Sequence, residues 1–335
     1  MSRVVGFGEL MMRLSPPGNE RLLQSPQLRT WFGGSEANVI ASLSHLGART
    51  EFVTRLPANA LGDAALRALR AEGIGTNHVL RGGSRLGLYF VESGADVRAM
   101  QVVYDRAGSA FSELGSDDVD WANLLRSASW LHLSGITPAL GDGPARATQA
   151  AVHATRGTGT AVSFDLNYRA ALWHGRDPQQ VIRPLAGACD LLIGNPGAVR
   201  AMLGIAVDEL PHDAPYDETR LCRVATRVAE EIGCRWVALT HREVLSASEH
   251  GGRTALLDAR TGEFHASRRW QVRVVDRVGG GDSFAAGLLY AVLDSRPAAS
   301  ALDFATAASA LKLTIPGDFN RVSVAEVERL LQQPV

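Results

Sequence analysis

Short apolar runs alternate along this chain with stretches whose apolar residues recur every three or four positions. The runs Val4–Gly8, Glu51–Arg55, Trp130–Leu133, Ala161–Asp165, Leu191–Asn195 and Trp236–Thr240 predict strands, several of which end in a glycine or a polar residue. The amphipathic stretches Ser35–Leu46, Gly62–Glu72, Pro144–Arg156, Asp217–Ile232, Asp282–Leu293, Ala298–Leu311 and Val324–Leu331 predict helices. The last opens on Ser323-x-x-Glu326, the pattern of a capping box. Such alternation predicts an α/β fold, a mostly parallel sheet covered by helices, with ligand-binding groups at the carboxyl edge of its strands.

Two regions break the pattern. Met11 to Phe32 holds Leu14-Ser15-Pro16-Pro17-Gly18 and Gln27-Leu28-Arg29-Thr30-Trp31-Phe32; Gly87 to Tyr104 holds Leu88–Glu92 and Ala99–Tyr104. Each reads as extended segments around a turn, so a small β sheet made from insertions at about 11–32 and 87–104 should project from one domain spanning 1–335. Val244–Ser248, Ala255–Asp258 and Glu263–Ala266 predict a second sheet region, turning at Asp258–Gly262. The pattern does not place it against the main sheet. There is no internal repeat, low-complexity tract or Pro/Gly-rich linker.

Composition narrows the function classes. The 335 residues carry 34 Lys+Arg against 35 Asp+Glu, a formal net charge of -1, which speaks against a nucleic-acid partner. No run approaches the ~20 apolar residues of a membrane span. The start, Met1 to Glu9, is a short apolar run stopping at glycine and not a signal peptide. Cys189, Cys222 and Cys234 lack metal-type spacing and read as free thiols in a reducing compartment, so a cytoplasmic location is expected.

The candidate chemistry lies between a predicted strand at Val272–Val275 and the helix from Asp282, in the run Asp276-Arg277-Val278-Gly279-Gly280-Gly281-Asp282. Three glycines allow close backbone approach and positive φ, and their amides with the positive end of the helix make an anion site. Such a site suits a phosphate or the charge on a transferring phosphoryl group. Taken alone, Asp282 fits a helix cap as well as a proton acceptor. The spacing is neither a dinucleotide fingerprint nor a Walker loop, and Gly6-x-Gly8-Glu9 supplies no dehydrogenase fingerprint either.

With its flanks through Ser283-Phe284-Ala285-Ala286-Gly287, this run resembles the C-terminal signature of the ribokinase-like (pfkB-type) carbohydrate kinases. Their N-terminal signature is resembled by Gly33-Gly34-Ser35-Glu36-Ala37-Asn38-Val39 with Ala41 and Leu46-Gly47. The family fold is a doubly wound sheet with helices on both faces plus a β lid, which agrees with the two insertions. Within the family the chain is most similar to the 2-keto-3-deoxygluconate kinases. The similarity lies in Gly8-Glu9-Leu10-Met11-Met12-Arg13-Leu14-Ser15-Pro16-Pro17, Asp165-Leu166-Asn167-Tyr168-Arg169, Ala308-Ser309-Ala310-Leu311-Lys312 and Ile315-Pro316-Gly317-Asp318.

The resemblance implies transfer of the ATP γ-phosphate to a sugar-acid hydroxyl, converting 2-keto-3-deoxy-D-gluconate to its 6-phosphate. Asp282 would be the base, and Gly279, Gly280 and Gly281 the anion hole. Gly34, Asn38, Tyr89, Tyr104, Arg106 and Arg169 would bind the substrate, the arginines supplying the cation that a carboxylate needs. The nucleotide would lie along Asn167, Asn195, Thr240, Gly279, Gly281, Ser309 and Lys312. Mg2+ would bridge the phosphates, and a monovalent cation is left open. Two departures stand out. Asn195-Pro196-Gly197-Ala198 lacks the acid that the family often carries at its fourth place, which leaves Asp165 as the metal candidate. Thr240-His241-Arg242-Glu243 replaces a glycine-bearing turn, with His241 read as a loop residue. Fructokinase or another sugar kinase is the alternative with the same chemistry; a sugar-binding regulator without turnover is the alternative from another class. The lid edge leads us to expect a homo-oligomer.

Overall fold

The computed structural model describes residues 3–207 and 215–333. Its strands are β1 (Arg3–Phe7), β2 (Met11–Ser15), β3 (Arg29–Gly33), β4 (Arg49–Leu56), β5 (Val79–Arg81), β6 (Leu88–Glu92), β7 (Gln101–Asp105), β8 (Trp130–Ser134), β9 (Ala161–Asp165), β10 (Leu191–Gly194), β11 (Trp236–Ser246), β12 (Glu249–Asp258), β13 (Glu263–Ala266) and β14 (Trp270–Arg273). Its helices are α1 (Ser35–His45), α2 (Ala60–Ala71), α3 (Trp121–Leu125), α4 (Asp142–Thr158), α5 (Pro178–Ala186), α6 (Pro196–Leu203), α7 (Glu218–Ile232), α8 (Gly280–Leu293), α9 (Ala298–Lys312) and α10 (Val324–Leu331).

Ten strands form one sheet in the order β13-β12-β11-β10-β9-β8-β1-β4-β5, with β14 paired to β12. From β5 through β11 the neighbours are parallel; β12, β13 and β14 are antiparallel additions. Parallel strands are buried on both faces, and alternate residues serve opposite layers. Val5 and Phe7 pack with Phe164, Leu192 and Val237 under α3 to α7. Val4, Leu191, Ile193 and Ala238 pack on the other side against α1, α2, α8, α9 and α10. Each such Val, Leu, Ile or Phe side chain contributes about 1.5–3 kcal/mol. The fold is therefore the expected doubly wound α/β, and a separate four-stranded sheet, β3-β2-β6-β7, comes from residues of the two insertions.

Helix starts follow their caps. Asn59 Oδ1 accepts from the amides of Leu61 and Gly62 at α2, and the capping box of Ser323 and Glu326 forms at α10. No helix among the described residues is long and apolar enough to cross a membrane.

One open placement is filled and two expectations change. The second sheet region, which the pattern leaves unplaced, belongs to the main sheet: β11 is 11 residues long, pairs with β10 over Trp236–Leu239 and runs on past it, and β12 folds back along its length. His241 thus sits within a strand, paired with Arg253, and not in a loop. The strand expected at Val272–Val275 is β14, two residues earlier and antiparallel to β12. Of the three helices absent from the pattern, α3, α5 and α6, the last two begin with proline, and α5 holds Pro184 inside. Proline at the first helical position is favourable, whereas periodicity counts it as a breaker.

Candidate active site

The glycine run meets α8 at the carboxyl edge of the large sheet. Gly279 precedes the helix at φ 82°, in the left-handed region that glycine adopts without strain. A Cβ there would stand 2.3 Å from the Asp318 carbonyl oxygen, so two loops pass too closely for another residue. Gly280 and Gly281 form the first turn, and no side chain caps it. The Gly280 amide reaches the Arg277 carbonyl at 3.5 Å, and the remaining amides of this turn with the helix dipole favour an anion. Gly281 borders open space.

Asp282 lies inside that first turn, not ahead of it, and its side chain caps nothing. Its carboxylate instead accepts from Asn38 Nδ2 at 2.7 Å and from Ser35 Oγ at 3.3 Å, both on α1. Asn167 Nδ2 donates to the same Ser35 Oγ at 2.6 Å. Asn167 itself is held at φ 38° while its amide donates to Asp165 Oδ1 at 2.9 Å. Ser35 therefore links the base candidate to the end of β9. Burial raises Asp282 above the ordinary aspartate value, opposed by the Asn38 hydrogen bond and the Arg169 charge. Burial and then the Asp282 charge push Asp165 up to about 7. Glu36, also raised by burial, accepts from Ser134 Oγ and Thr137 Oγ1, each at 2.8 Å. Three carboxyls thus feel one another at this edge, and Glu36 and Ser35 went unrecognised as members although both lie in the N-terminal signature.

Several candidates are already engaged. Asn38 Oδ1 accepts from the Gly34 amide at 3.3 Å, so the Asn38 side chain bridges the loop before α1 to Asp282. Gly34 is required by the Glu9 backbone, whose carbonyl oxygen a Cβ would meet at 2.0 Å. Arg106 lays its guanidinium on Glu9, with Nε 2.8 Å from Oε2, and Ser109 completes that group. Tyr89 donates its hydroxyl to Asp318 and stacks on half-exposed Tyr104, ring centroids 5.8 Å apart. Arg169 is exposed and, among the described residues, bonds only the Tyr168 carbonyl, at 3.2 Å.

On the other flank, Thr240 Oγ1 donates to the Gly194 carbonyl at 3.2 Å, and Asn195 Oδ1 caps α6 through the Ala198 amide at 3.0 Å. Ser309 Oγ donates to the Gly280 carbonyl at 2.8 Å, tying α9 to the anion site. Lys312 is fully buried, its Nζ 3.0 Å from the Ile315 carbonyl, and burial lowers it to about 8. Among the described residues there is no group of three His, Cys, Asp or Glu side chains able to hold a metal ion.

Comparison with known proteins agrees with this geometry. The pfkB family carbohydrate kinase profile matches residues 1–323. The 2-dehydro-3-deoxygalactonokinase of Haloferax volcanii is 31% identical over 331 residues, covering 99% of this chain and 97% of its own. The crystal structure of the 2-dehydro-3-deoxygluconokinase of Thermotoga maritima superposes with a TM-score of 0.95 at 42% identity, covering 99% of this chain and 100% of that one. At 19% identity, a structure described as a ribokinase II from Escherichia coli, in complex with ATP and Mg2+, shares the fold with a TM-score of 0.78, covering 99% of both chains. The chain is a sugar kinase and belongs to the pfkB family of carbohydrate kinases.

Proposed function

We propose that the chain phosphorylates a 2-keto-3-deoxy sugar acid with ATP, 2-keto-3-deoxy-D-gluconate foremost. The observation that carries this reading is Asp282: a carboxylate at the positive end of α8 that caps nothing and is aimed by Asn38 and Ser35. There it takes the proton of the attacking hydroxyl while the Gly279–Gly281 amides meet the charge of the transferring group. Mg2+ supplies charge neutralisation on the phosphates and usually keeps several waters, so a single carboxylate suffices to meet it. Asp165, with only Oδ1 hydrogen-bonded, fits that part.

Arg169 is the better-placed cation for the acid group, because Glu9 already occupies Arg106. The Haloferax relative favours a second reading, the galactonate epimer as substrate. A panel of both epimers and fructose, with ADP release as the readout, separates these readings; preference for fructose overturns the sugar-acid assignment. In the same panel Arg169→Ala should raise KM for the acid about 10- to 100-fold, as loss of a charge-assisted hydrogen bond does. An equal rise for fructose would remove Arg169 from carboxylate recognition.

The pH profile offers a separate check. A base works ionised, so kcat/KM falls as pH drops through its pKa, here above the ordinary aspartate value. The Asn38 hydrogen bond favours the charged form and lowers that pKa. Asn38→Ala should therefore move the acid limb to higher pH. A limb that stays put or moves down would dissociate Asn38 from the base.

A further inference from the structure

Several arginines near the site are matched to acids: Arg13 to Asp276 and Asp318, Arg106 to Glu9, Arg269 to Glu243. Arg242 and Arg277 are not. Neither side chain has a hydrogen bond or an ion pair among the described residues. Yet they lie close enough to repel each other, and Arg169 adds its charge to both. Arg242 is exposed and Arg277 half-buried, so water screens part of that repulsion, but the pair still makes a local excess of positive charge in a chain whose acids and bases nearly balance.

Their placement is specific. Arg277 stands two residues before Gly279, and its carbonyl accepts the Gly280 amide. Arg242 follows Thr240 by two on β11, so both side chains leave the same face. In the antiparallel ladder Thr240 faces Thr254, Arg242 faces Gly252 and Val244 faces His250, which places all of them on that face. The face is turned to α9, because Thr254 Oγ1 lies 2.6 Å from Thr306 Oγ1. Gly252 leaves the space opposite Arg242 without a side chain. Beside the two arginines His250 is 2% exposed, and its Nε2 is buried with no hydrogen-bond partner. Burial and then the Arg242 and Arg277 charges lower His250 to about 4, so the ring is neutral at pH 7.

We propose that Arg242 and Arg277 are the protein's grip on the terminal phosphates of the nucleotide. The assignment rests on ATP being the phosphoryl donor. Guanidinium forks match phosphate oxygens in pairs and keep their charge at any working pH. The glycine amides then hold the transferring phosphoryl from the helix side, and the two arginines hold the chain of phosphates from the β11–β12 hairpin side. Arg169, which acts electrostatically on Asp282 and on both arginines, marks the border between sugar and nucleotide.

Calorimetric titration of the full chain with ATP plus Mg2+, and separately with adenosine, tests this. Arg277→Gln and Arg242→Gln should each weaken ATP about 10- to 100-fold and leave adenosine within twofold, which also shows that the variants are folded. Arg277→Lys should recover part of the loss, since it restores charge but not the fork. ATP affinity unchanged in both glutamine variants, or ATP and adenosine weakened alike, overturns the assignment while leaving the kinase reading intact. A wild-type chain that binds no ATP overturns both.

Discussion

Replacing Asp282 by asparagine should lower kcat by about 10²- to 10⁴-fold, the range a positioned general base contributes, while ATP affinity changes by only a few fold. The exchange keeps shape and removes the proton acceptor. The oxygen of the new amide can still accept from Asn38 Nδ2 and its NH2 can donate to Ser35 Oγ, so the α1–α8 contact survives. The glycine amides are backbone groups and remain in place. Removing a charge that burial disfavours should also leave the fold at least as stable, which separates catalysis from folding. Single-turnover kinetics with ATP bound would isolate the chemical step. Turnover near the wild-type level would remove Asp282 as the base. A parallel loss of ATP binding would recast it as a nucleotide ligand.

The parts of this site legible in the sequence are those where function needs neighbouring residues. Gly279 through Asp282 belong to one turn, and Gly33 through Asn38 to another, so the chemistry is written in local strings. What stayed hidden depends on residues far apart in the chain. Ser35 became part of the site through contacts with Asn167 and Asp282, 132 and 247 residues away. Nothing local announces that Arg106, expected as a substrate cation, is paired with Glu9, 97 residues earlier. Similarly, Arg242 lies beyond the strand expected at Trp236–Thr240, and only the register places it on a strand, opposite a glycine and on the same face as His250. The main sheet was legible because buried parallel strands are continuous apolar runs. The β11–β12 hairpin was left unplaced for the same reason: past the sheet edge β11 becomes polar, and its pattern breaks where its backbone does not.

Arg13→Ala should cost about 3–5 kcal/mol of stability, the effect of stranding buried charges. Arg13 is 1% exposed, and its Nη1 lies 2.7 Å from Asp276 and 3.1 Å from Asp318. Its Nε donates to Ser15 at 2.9 Å, and Trp31 covers its guanidinium at 5.0 Å. Because Asp276 opens the glycine run and Asp318 receives Tyr89, this one side chain joins β2 of the small sheet to both loops of the anion site. The loss should depend on pH, with a definite sign. Burial pushes Asp318 up to about 6, against the Arg13 charge, so the folded state binds its proton more tightly than the unfolded one. Stability from this group is present below the unfolded value and is lost as pH rises through the folded value. Without Arg13 the folded value rises further, so that loss continues to higher pH. Urea unfolding should then show a small gap between variant and wild type near pH 5 and a wider one near pH 8. The combination Arg13→Met, Asp276→Asn and Asp318→Asn, which leaves no charge unpaired, should recover much of the stability without restoring activity. A variant within 1 kcal/mol of wild type at pH 8 would mean that water, not protein, solvates these carboxylates when Arg13 is gone.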